Sequence, residues 1–400
     1  MEKHIFIRKN YYLDTFGGSE KHILDWFKAI DYSYCEINLI VSPYGKNIFL
    51  PQIEKLNLPI KIIEFPFYSN KLIKRSWLNL FITLKRLRPT SVIFSEGAFG
   101  DFGFLYLFAA FLATKGRVFM SEHLAPCALP EKERKKYLNF IPALGLWWYK
   151  WTFLNVYLMG LRSYFCRKIL AVSKEVQELM IKNYFYRSSK IKTIYHGIDT
   201  DIFTKDNKIR NEERGRLQIG NSSTVVISTS RLAKVKRVDI LINAFDELSA
   251  KYKNLYLLVL GNGPLENELK KLASEKRSSS KIIFLGYIHD ISRYLKMSDI
   301  FVLTSNNEGL SIALLESLAT GVFSIVTKTP GPQEILKDQN SGLLVEKDYQ
   351  SIVDGITFAL NIPYSERNRL ALLGRNQILD KFDLYKQSIL ALDLFEIKHA

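Results

Sequence analysis

Cysteine is scarce in this 400-residue chain, and its three cysteines are far apart. Cys35, Cys127 and Cys166 therefore predict neither a disulfide framework nor a clustered metal site. The opening residues, MEKHIFIRKN, lack the apolar core of a signal peptide, so secretion is not expected. The apolar run at 102–113 is too short to span a bilayer and predicts a core helix. These absences favour an intracellular globular protein, and the length suits two domains.

Acidic residues are outnumbered mainly in the first half of the chain. Residues 1–200 contain 29 Lys and Arg against 16 Asp and Glu, a net charge of +13, whereas residues 201–400 contain 27 against 24, a net charge of +3. A basic half predicts an acidic partner surface, and charge alone leaves nucleic acid, anionic lipid and a lipid-linked pyrophosphate open. No nucleic-acid-reading motif is recognised, so no nucleic-acid partner is expected.

The aromatic segment 139–161 bears on this choice. It carries three tryptophans around Lys150 and follows the basic run 131–136. Lys150 argues against a transmembrane span. Aromatic residues beside lysines favour peripheral docking of the first domain on an anionic membrane, and a buried helix pair is the alternative.

Apolar strand-like segments alternate with helical patterns along the whole chain, which predicts an α/β fold with parallel, doubly wound sheets. The polar, charge-rich stretch 204–223 is the predicted boundary between two domains, 1–203 and 204–382. The predicted strands are 4–7, 36–42, 91–95, 117–121 and 168–173 in the first half and 224–228, 255–260, 282–285, 300–304 and 323–327 in the second.

Two glutamates follow one of these strands. Glu308 and Glu316 stand eight residues apart in EGLSIALLE, and the helix is predicted over 311–319. A strand that turns into a helix exposes backbone N–H groups, here of Gly309, Leu310 and Ser311, that can bind a phosphate. A carboxylate on each side suits one elongated ligand with phosphates between its ends, although most glutamates only solvate a helix face.

Two cations follow another strand. Arg231 and Lys236 come after TVVIS (224–228), before a helix with one apolar face. The carboxyl ends of parallel strands border the crevice where open α/β sheets bind ligands, so these cations are placed to neutralise a diphosphate.

Together with further motifs, these segments resemble the retaining glycosyltransferases of family 4 (glycosyl transferases group 1). The chain departs from the family pattern at Arg237, usually Gly, and at Phe323, usually Pro. The resemblance implies the GT-B fold, in which two Rossmann-like domains face each other across a cleft. The further motifs are FGGSEKHILD (16–25), SEH (121–123), ILAVSKEV (169–176), YHGIDTDIF (195–203), LGNGP (260–264), FLGYI (284–288), GPQEIL (331–336) and SGLLV (341–345).

By the resemblance, residues 1–203 bind the acceptor, 204–382 bind the nucleotide sugar, and a last helix at 383–400 crosses back onto the first domain. A sugar would pass from a UDP- or GDP-sugar to a hydroxyl acceptor with retention of the anomeric configuration. No metal ion or other cofactor is expected, because no Asp-x-Asp triplet, the usual metal-binding signature of the other large glycosyltransferase fold, is recognised in the sequence. The acceptor would be a saccharide or a lipid-linked molecule of cell-surface polysaccharide, lipid-linked oligosaccharide or glycolipid synthesis. The expected location is the cytoplasm, at the inner face of the membrane.

The resemblance also assigns roles to individual residues. Each assignment concerns either the reacting sugar or the nucleotide. His123 would hydrogen-bond the reacting sugar, and Glu308 would bind its hydroxyls. Arg231 and Lys236 would neutralise the leaving diphosphate together with the backbone of Gly309, Leu310 and Ser311, and Gly17 and Gly18 would let the backbone approach the diphosphate or acceptor. Glu316 would bind the ribose diol, and the backbone of Ile288 would contact the base.

Several alternatives stay open. Nucleotide-sugar 2-epimerases share this architecture, and a non-catalytic subunit could keep the fold for binding alone. The pair Gly17 and Gly18 could serve only a tight turn, and Gly261 and Gly263 could only shape the turn before Pro264. A single histidine such as His123 is often structural.

Overall fold

The computed structural model describes residues 1–8, 18–67, 73–96, 103–123, 160–336 and 341–400. The chain divides into two compact units. The first consists of Met1–Tyr195 with Tyr385–Ala400, and the second of His196–Leu384. The basic run 131–136 and Gly17 lie outside the described residues, as does all of the segment 139–161 except its last two residues. Within the described residues, no helix combines the length and the apolar character that crossing a membrane requires.

The first unit is built on a seven-stranded parallel sheet with the order β3-β2-β1-β4-β5-β6-β7. Parallel strands covered on both faces read as continuous apolar runs, and β4 and β5 are buried at every position. The strands are β1 Glu2–Arg8, β2 Cys35–Val41, β3 Ile60–Glu64, β4 Ser91–Glu96, β5 Val118–Glu122, β6 Lys168–Ala171 and β7 Ile191–Thr193.

Helices connect these strands and cover the sheet. The predicted core helix at 102–113 is confirmed as α4, in which Leu107, Ala109 and Ala110 are completely buried. The helices are α1 Gly18–Lys28, α2 Pro43–Lys55, α3 Ile73–Leu87, α4 Phe104–Thr114 and α5 Lys174–Tyr184.

The second unit has a six-stranded parallel sheet with the order β10-β9-β8-β11-β12-β13. The strands are β8 Thr224–Thr229, β9 Leu255–Leu260, β10 Ile282–Gly286, β11 Ile300–Leu303, β12 Phe323–Thr327 and β13 Leu343–Val345. The helices are α6 Asn207–Arg216, α7 Val238–Lys251, α8 Glu266–Ser274, α9 Ser292–Met297, α10 Ile312–Thr320, α11 Pro330–Ile335, α12 Tyr349–Asn361 and α13 Tyr364–Lys381.

The strand order of the second sheet creates a topological switch point. From β8 the chain continues through β9 to β10 at one edge of the sheet. It then returns to the other side of β8, where β11 pairs with β8 through Ile300 and Val226, and continues through β12 to β13 at the opposite edge. The connections that leave β8 and β11 therefore diverge, and ligands of open α/β sheets bind in the crevice at such a point.

The sequence predicted the central strands and missed three at the edges. Every predicted strand is present, and the predicted α/β class is confirmed. The three strands that were not predicted, β3, β7 and β13, each lie at an edge of a sheet. Two of them have only three residues and the third is half exposed, so they lack a long apolar run.

The division between the units lies at Tyr195 and His196, earlier than the boundary predicted at 203 and 204. The polar stretch at 204–223 forms α6, whose Arg210 and Arg214 each donate to Asp299 at 2.7 Å. Burial lowers the pKa of the Arg214 guanidinium, and the Asp299 carboxylate opposes this shift. The charges that suggested a domain boundary thus attach the helix to Asp299, directly before β11.

The last helix, α14 Leu384–Leu394, carries the chain back into the first unit. Phe395 is completely buried there, with its ring 5.2 Å from that of Trp26 and 6.5 Å from that of Phe6. The end of the chain thus contributes to the core around β1.

Candidate active site

The loops that leave β8 and β11 are joined at the carboxyl edge of the second sheet. Thr304, directly after β11, places its hydroxyl 2.9 Å from the carbonyl oxygens of both Lys236 and Arg237. The Asn306 N–H donates to the carbonyl of Val235 at 2.8 Å. These bonds fix the two loops against each other at the switch point.

Lys236 and Glu308 form an ion pair between these loops. Lys236 ends a short 3-10 helix, Lys234–Lys236, and its Nζ lies 2.5 Å from Glu308 Oε1. The Ser305 hydroxyl donates to the same oxygen at 2.6 Å. The two side chains are 22% and 11% exposed, so the pair is partly desolvated. The structure thus brings together two predicted site residues that are far apart in the sequence.

Arg231 lies on the same loop as Lys236. Its side chain is exposed and makes no hydrogen bond or ion pair with any residue that the structure describes. The loop itself is held firmly, because Leu232 is completely buried and its N–H donates to the carbonyl of Asn262 at 2.8 Å. Arg231 is therefore an accessible cation on a firmly held loop.

Two glycines of the LGNGP motif support this loop. Gly261 and Gly263 have φ values of +126° and +158°. A Cβ at Gly261 would lie 1.9 Å from the carbonyl oxygen of Ser230, and one at Gly263 would lie 2.5 Å from that of Leu232. Only glycine allows this approach of the two backbones. These contacts favour the interpretation that Gly261 and Gly263 shape the turn.

The segment Gly309 to Ser311 leads into α10. Ser311 is the N-cap, and its hydroxyl accepts from the N–H of Leu314 at 3.4 Å. The backbone of Gly309 lies against Gly331, where a Cβ would be 1.7 Å from the Gly309 carbonyl oxygen. The N–H groups of the first helical turn have no partner inside the helix and suit an anion. Glu316 lies within α10 and is buried.

Ile288 follows β10 at the same edge of the sheet. Gly286 ends that strand with a φ of +68°, and its carbonyl accepts from the N–H of Gly261 at 2.7 Å. Ile288, two residues later, is half-buried. The hydrogen bond joins the loop of Ile288 to the glycine loop that supports Arg231.

His123 belongs to the first unit, where it follows β5 at the carboxyl edge of that sheet. It is buried, and its Nε2 lies 3.2 Å from Ser95 Oγ and 3.1 Å from Ser121 Oγ. Its ring packs edge-on against that of His22, with centroids 5.4 Å apart. Gly18 is the first residue of α1.

Sequence reasoning missed a buried charge cluster at this edge of the first sheet. Glu96 and Glu122 end β4 and β5 and pair in register, and both are completely buried. Arg162 is ion-paired with Glu96 and lies 3.7 Å from Glu122. At the end of β1, Arg8 donates to Glu20 at 2.6 Å, and both are buried. The available signal was a charged residue at the end of an otherwise apolar strand.

The expectation of a metal-independent reaction also overlooked the triplet Asp199-Thr200-Asp201. It has the Asp-x-Asp pattern by which many other glycosyltransferases bind a divalent ion. Here the Asp199 carboxylate accepts from the N–H groups of Asp201 and Ile202, at 3.2 and 3.1 Å. This is an aspartate turn, so the carboxylate has a local structural use.

Two family models match the chain, one in each half. The model described as Glycosyltransferase Family 4 matches residues 16–202, and the model described as Glycosyl transferases group 1 matches residues 209–377. The chain belongs to this family.

Curated members of the family resemble the chain at moderate identity. The lipopolysaccharide core biosynthesis glycosyltransferase LpsE of Rhizobium meliloti is 31% identical over 185 residues, which cover 45% of this chain and 52% of that protein. A Campylobacter jejuni enzyme that adds N-acetylgalactosamine to a diphospho-undecaprenol-linked glycan is 26% identical over 345 residues, 84% of each chain. The chain spans about half the length of several of the curated relatives that it matches.

A solved structure shows the same fold. HepE of Anabaena, crystallised in complex with UDP, superposes with a TM-score of 0.76 at 16% identity, over 99% of this chain and 100% of that chain. The predicted GT-B fold class of this group 1 family member is thereby confirmed.

Proposed function

We propose that this protein transfers a sugar from a nucleoside-diphosphate sugar to a hydroxyl acceptor, with retention of the anomeric configuration. The observation that carries the proposal is the contact of Lys236 with Glu308 at the switch point between β8 and β11. Arg231 lies on the loop of Lys236 as an exposed cation, and α10 begins four residues after Glu308. Cations, a carboxylate and a helix N-terminus together suit a diphosphate that carries a sugar.

The leaving diphosphate gains negative charge as the glycosidic bond breaks. Arg231 and Lys236 neutralise that charge, and the N–H groups of Gly309, Leu310 and Ser311 donate to the phosphate oxygens. These groups are held before the reaction by the loop contacts at Thr304 and Gly261, so little reorganisation is needed when the charge develops.

Donor recognition uses the carboxylates on either side of the phosphates. Without a donor, Glu308 pairs with Lys236. When the donor binds, Glu308 accepts from sugar hydroxyls and Lys236 contacts the diphosphate. Glu316 accepts from the ribose diol, and the backbone at Ile288 meets the base. In this assignment the second unit binds the UDP- or GDP-sugar.

The first unit binds the acceptor. His123 hydrogen-bonds the reacting sugar and stabilises its oxocarbenium-like transition state, and the backbone at Gly17 and Gly18 approaches the diphosphate or the acceptor. The acceptor hydroxyl attacks the anomeric carbon on the face that the diphosphate leaves, and a diphosphate oxygen accepts the hydroxyl proton. Neither an enzymic nucleophile nor a metal ion takes part in this route.

The acceptor is a saccharide of polysaccharide or glycolipid synthesis, in its lipid-linked form. The names of the Rhizobium and Campylobacter relatives support this class, and the net charge of +13 in residues 1–200 suits an anionic surface. Docking through residues 131–161 is tested by co-sedimentation with anionic vesicles at low salt. Replacing Lys132, Arg134, Lys135 and Lys136 by Ser should release the protein from the vesicles, and unchanged binding would contradict this docking surface.

Donor screening followed by product analysis tests the function. UDP-, GDP- and ADP-sugars are first compared by thermal shift, because a ligand at 100 times its Kd adds about 2.7 kcal/mol of stability. The stabilising donor is then incubated with and without a lipid-linked saccharide, and the anomeric configuration of the product is read by NMR. Transfer with retention supports the proposal. A new nucleotide sugar formed without acceptor would instead identify an epimerase, and no stabilisation by any donor would contradict both.

A further inference from the structure

Three side chains with metal-ligating atoms meet at the amino ends of β1 and β2, on the opposite edge of the first sheet from His123. Glu2, His4 and Cys35 place a carboxylate oxygen, an imidazole nitrogen and a thiol sulfur within 4.8 Å of one another. Glu2 pairs in register with Cys35, and Glu2 and His4 are two residues apart on one strand. All three therefore project from the same face of the sheet.

His4 is positioned as a metal ligand would be. It is completely buried, and its Nδ1 lies 2.8 Å from the hydroxyl of Ser91, on the neighbouring strand β4. Its Nε2 makes no hydrogen bond within the part of the chain that the structure describes. A Glu2 carboxylate oxygen lies 3.5 Å from Nε2, beyond a good hydrogen-bond length.

This arrangement of the ring is informative. The long contact to Glu2 leaves Nε2 without a good hydrogen bond, and a buried polar atom that lacks one costs about 1 to 3 kcal/mol. Ligating histidines usually donate the other ring N–H to a nearby acceptor, which fixes the tautomer and the ring orientation. The Ser91 hydroxyl can accept from Nδ1–H, and Nε2 then offers its lone pair towards Glu2 and Cys35.

We propose that Glu2, His4 and Cys35 bind one divalent transition-metal ion of the zinc class. A thiolate, an imidazole and a carboxylate are zinc ligands, whereas Mg²⁺ and Ca²⁺ take oxygen ligands. Tetrahedral zinc places its nitrogen, oxygen and sulfur ligands about 3.5 Å from one another or less. The distance of 3.5 Å between His4 Nε2 and the Glu2 oxygen already fits this geometry. Cys35 Sγ lies within 4.8 Å of both atoms, so rotation of its side chain has to bring it closer by at most about 1 Å.

The surroundings suit one bound ion. Glu2 is 44% exposed at its side chain, which gives an entry path, whereas His4 and Cys35 are buried. A fourth ligand would come from water or from the Lys398 carbonyl, 4.0 Å from Cys35 Sγ. Arg117, a neighbouring cation, is ion-paired with Glu396 at 3.1 Å, which limits its repulsion of a metal. A bound ion would join β1, β2 and the end of the chain.

Cobalt and zinc titration of the tag-free, reduced full-length protein tests this site. Co²⁺ should bind in one equivalent and produce a thiolate-to-cobalt charge-transfer absorption, which Zn²⁺ should abolish by displacement. Cys35→Ser should remove this absorption, and Glu2→Gln should weaken Zn²⁺ binding at least about tenfold. Ser91→Ala should weaken it by about 10- to 100-fold through loss of the contact to Nδ1.

Matched controls separate this site from other thiols. Cys166→Ser and Cys127→Ser should both retain the cobalt absorption, since the proposed ligands are Glu2, His4 and Cys35. The proposal is overturned if Co²⁺ does not bind stoichiometrically, if the absorption persists in Cys35→Ser, or if it is lost in a control. If Cys35→Ser does not fold, Glu2→Gln tests the site instead, because Glu2 is partly exposed and a glutamine carboxamide at this position does not disturb the core. An unchanged zinc affinity in Glu2→Gln would then refute the site.

Discussion

The two units share an architecture but use charge in opposite ways at the carboxyl edges of their sheets. In the second unit, Arg231 is exposed and Lys236 is 22% exposed, next to a helix N-terminus. In the first unit, Arg8 and Arg162 are buried and paired with the buried carboxylates of Glu20 and Glu96. The cations of the second edge are at least partly accessible to solvent, whereas the charges of the first edge are buried against one another.

Under the proposed assignment, net charge does not locate the donor site. The first half of the chain carries +13 and the second only +3, yet the cations that we propose for the diphosphate are in the second. At the first edge, Glu96 and Glu122 lie side by side in the register of β4 and β5, so their repulsion requires a neighbouring cation. Arg162 provides it, and its charge is used for folding.

The largest expected effect is on stability, in the first unit. Arg162→Ala would remove a cation that contacts the buried Glu96 and Glu122, and it should lower the free energy of unfolding by about 3 to 5 kcal/mol. Urea denaturation followed by circular dichroism measures this. Arg231→Ala is the matched control, and it should change stability by less than about 0.5 kcal/mol because Arg231 is exposed. If the two variants had similar free energies of unfolding, the proposal that charge stabilises the fold at the first edge and not at the second would be wrong.

The second prediction concerns catalysis. Arg231→Ala or Lys236→Ala should lower kcat by about a hundredfold or more, about 3 kcal/mol, because each removes a cation from the departing diphosphate. Lys234→Ala is the control. Lys234 is exposed on the same loop and should be replaceable with little loss of rate. Steady-state kinetics with the preferred donor measures the effect, and normal turnover in either of the first two variants would contradict their assignment.

A smaller effect should separate the two glutamates. Glu316→Ala should weaken the binding of the donor and of the free nucleoside diphosphate alike, by about 1.5 to 3 kcal/mol, because both contain ribose and its hydrogen bonds to a carboxylate are charge-assisted. Glu308→Ala should spare the free nucleotide and weaken only the sugar-bearing donor. Titration calorimetry with both ligands distinguishes these outcomes. Equal losses for both ligands in Glu308→Ala would show that Glu308 does not contact the sugar.

The sequence indicated the second edge more fully than the first, for a physical reason. The residues of the second edge directly follow long apolar strands, so Arg231 and Glu308 could be placed at strand ends from their neighbours alone. Their partners depend on strand order. Lys236 contacts Glu308 only because β11 returns beside β8, which no local pattern encodes.

The first edge and the proposed metal site depend on pairing register. Arg162 meets Glu96 across a long stretch of chain, and Glu2 meets Cys35 only in the register of β1 with β2. Counting cysteines predicted no metal site because the other two proposed ligands are not cysteines and both lie on β1, whereas Cys35 lies on β2. Composition gives the ligand types, but tertiary structure brings them together.

The smallest expected effect concerns the residue that replaces the usual family glycine. Arg237 has φ +49° and ψ 40°, the left-handed conformation, directly after Lys236. A side chain costs about 1 kcal/mol or more in this conformation, whereas glycine adopts it freely. Arg237→Gly should therefore raise the free energy of unfolding by about 1 kcal/mol, measured by urea denaturation.

Arg237→Ala is the control for this change. It also removes the contacts of Arg237 with Asp239, at 3.2 to 3.3 Å between partly exposed side chains, which contribute little. It keeps the Cβ, so it should stay within about 0.5 kcal/mol of the wild type. If Arg237→Gly were no more stable than Arg237→Ala, relief of the left-handed backbone would not be the cause. If the gain appears while turnover falls, the arginine holds the Lys236 loop in its active form at a cost in stability.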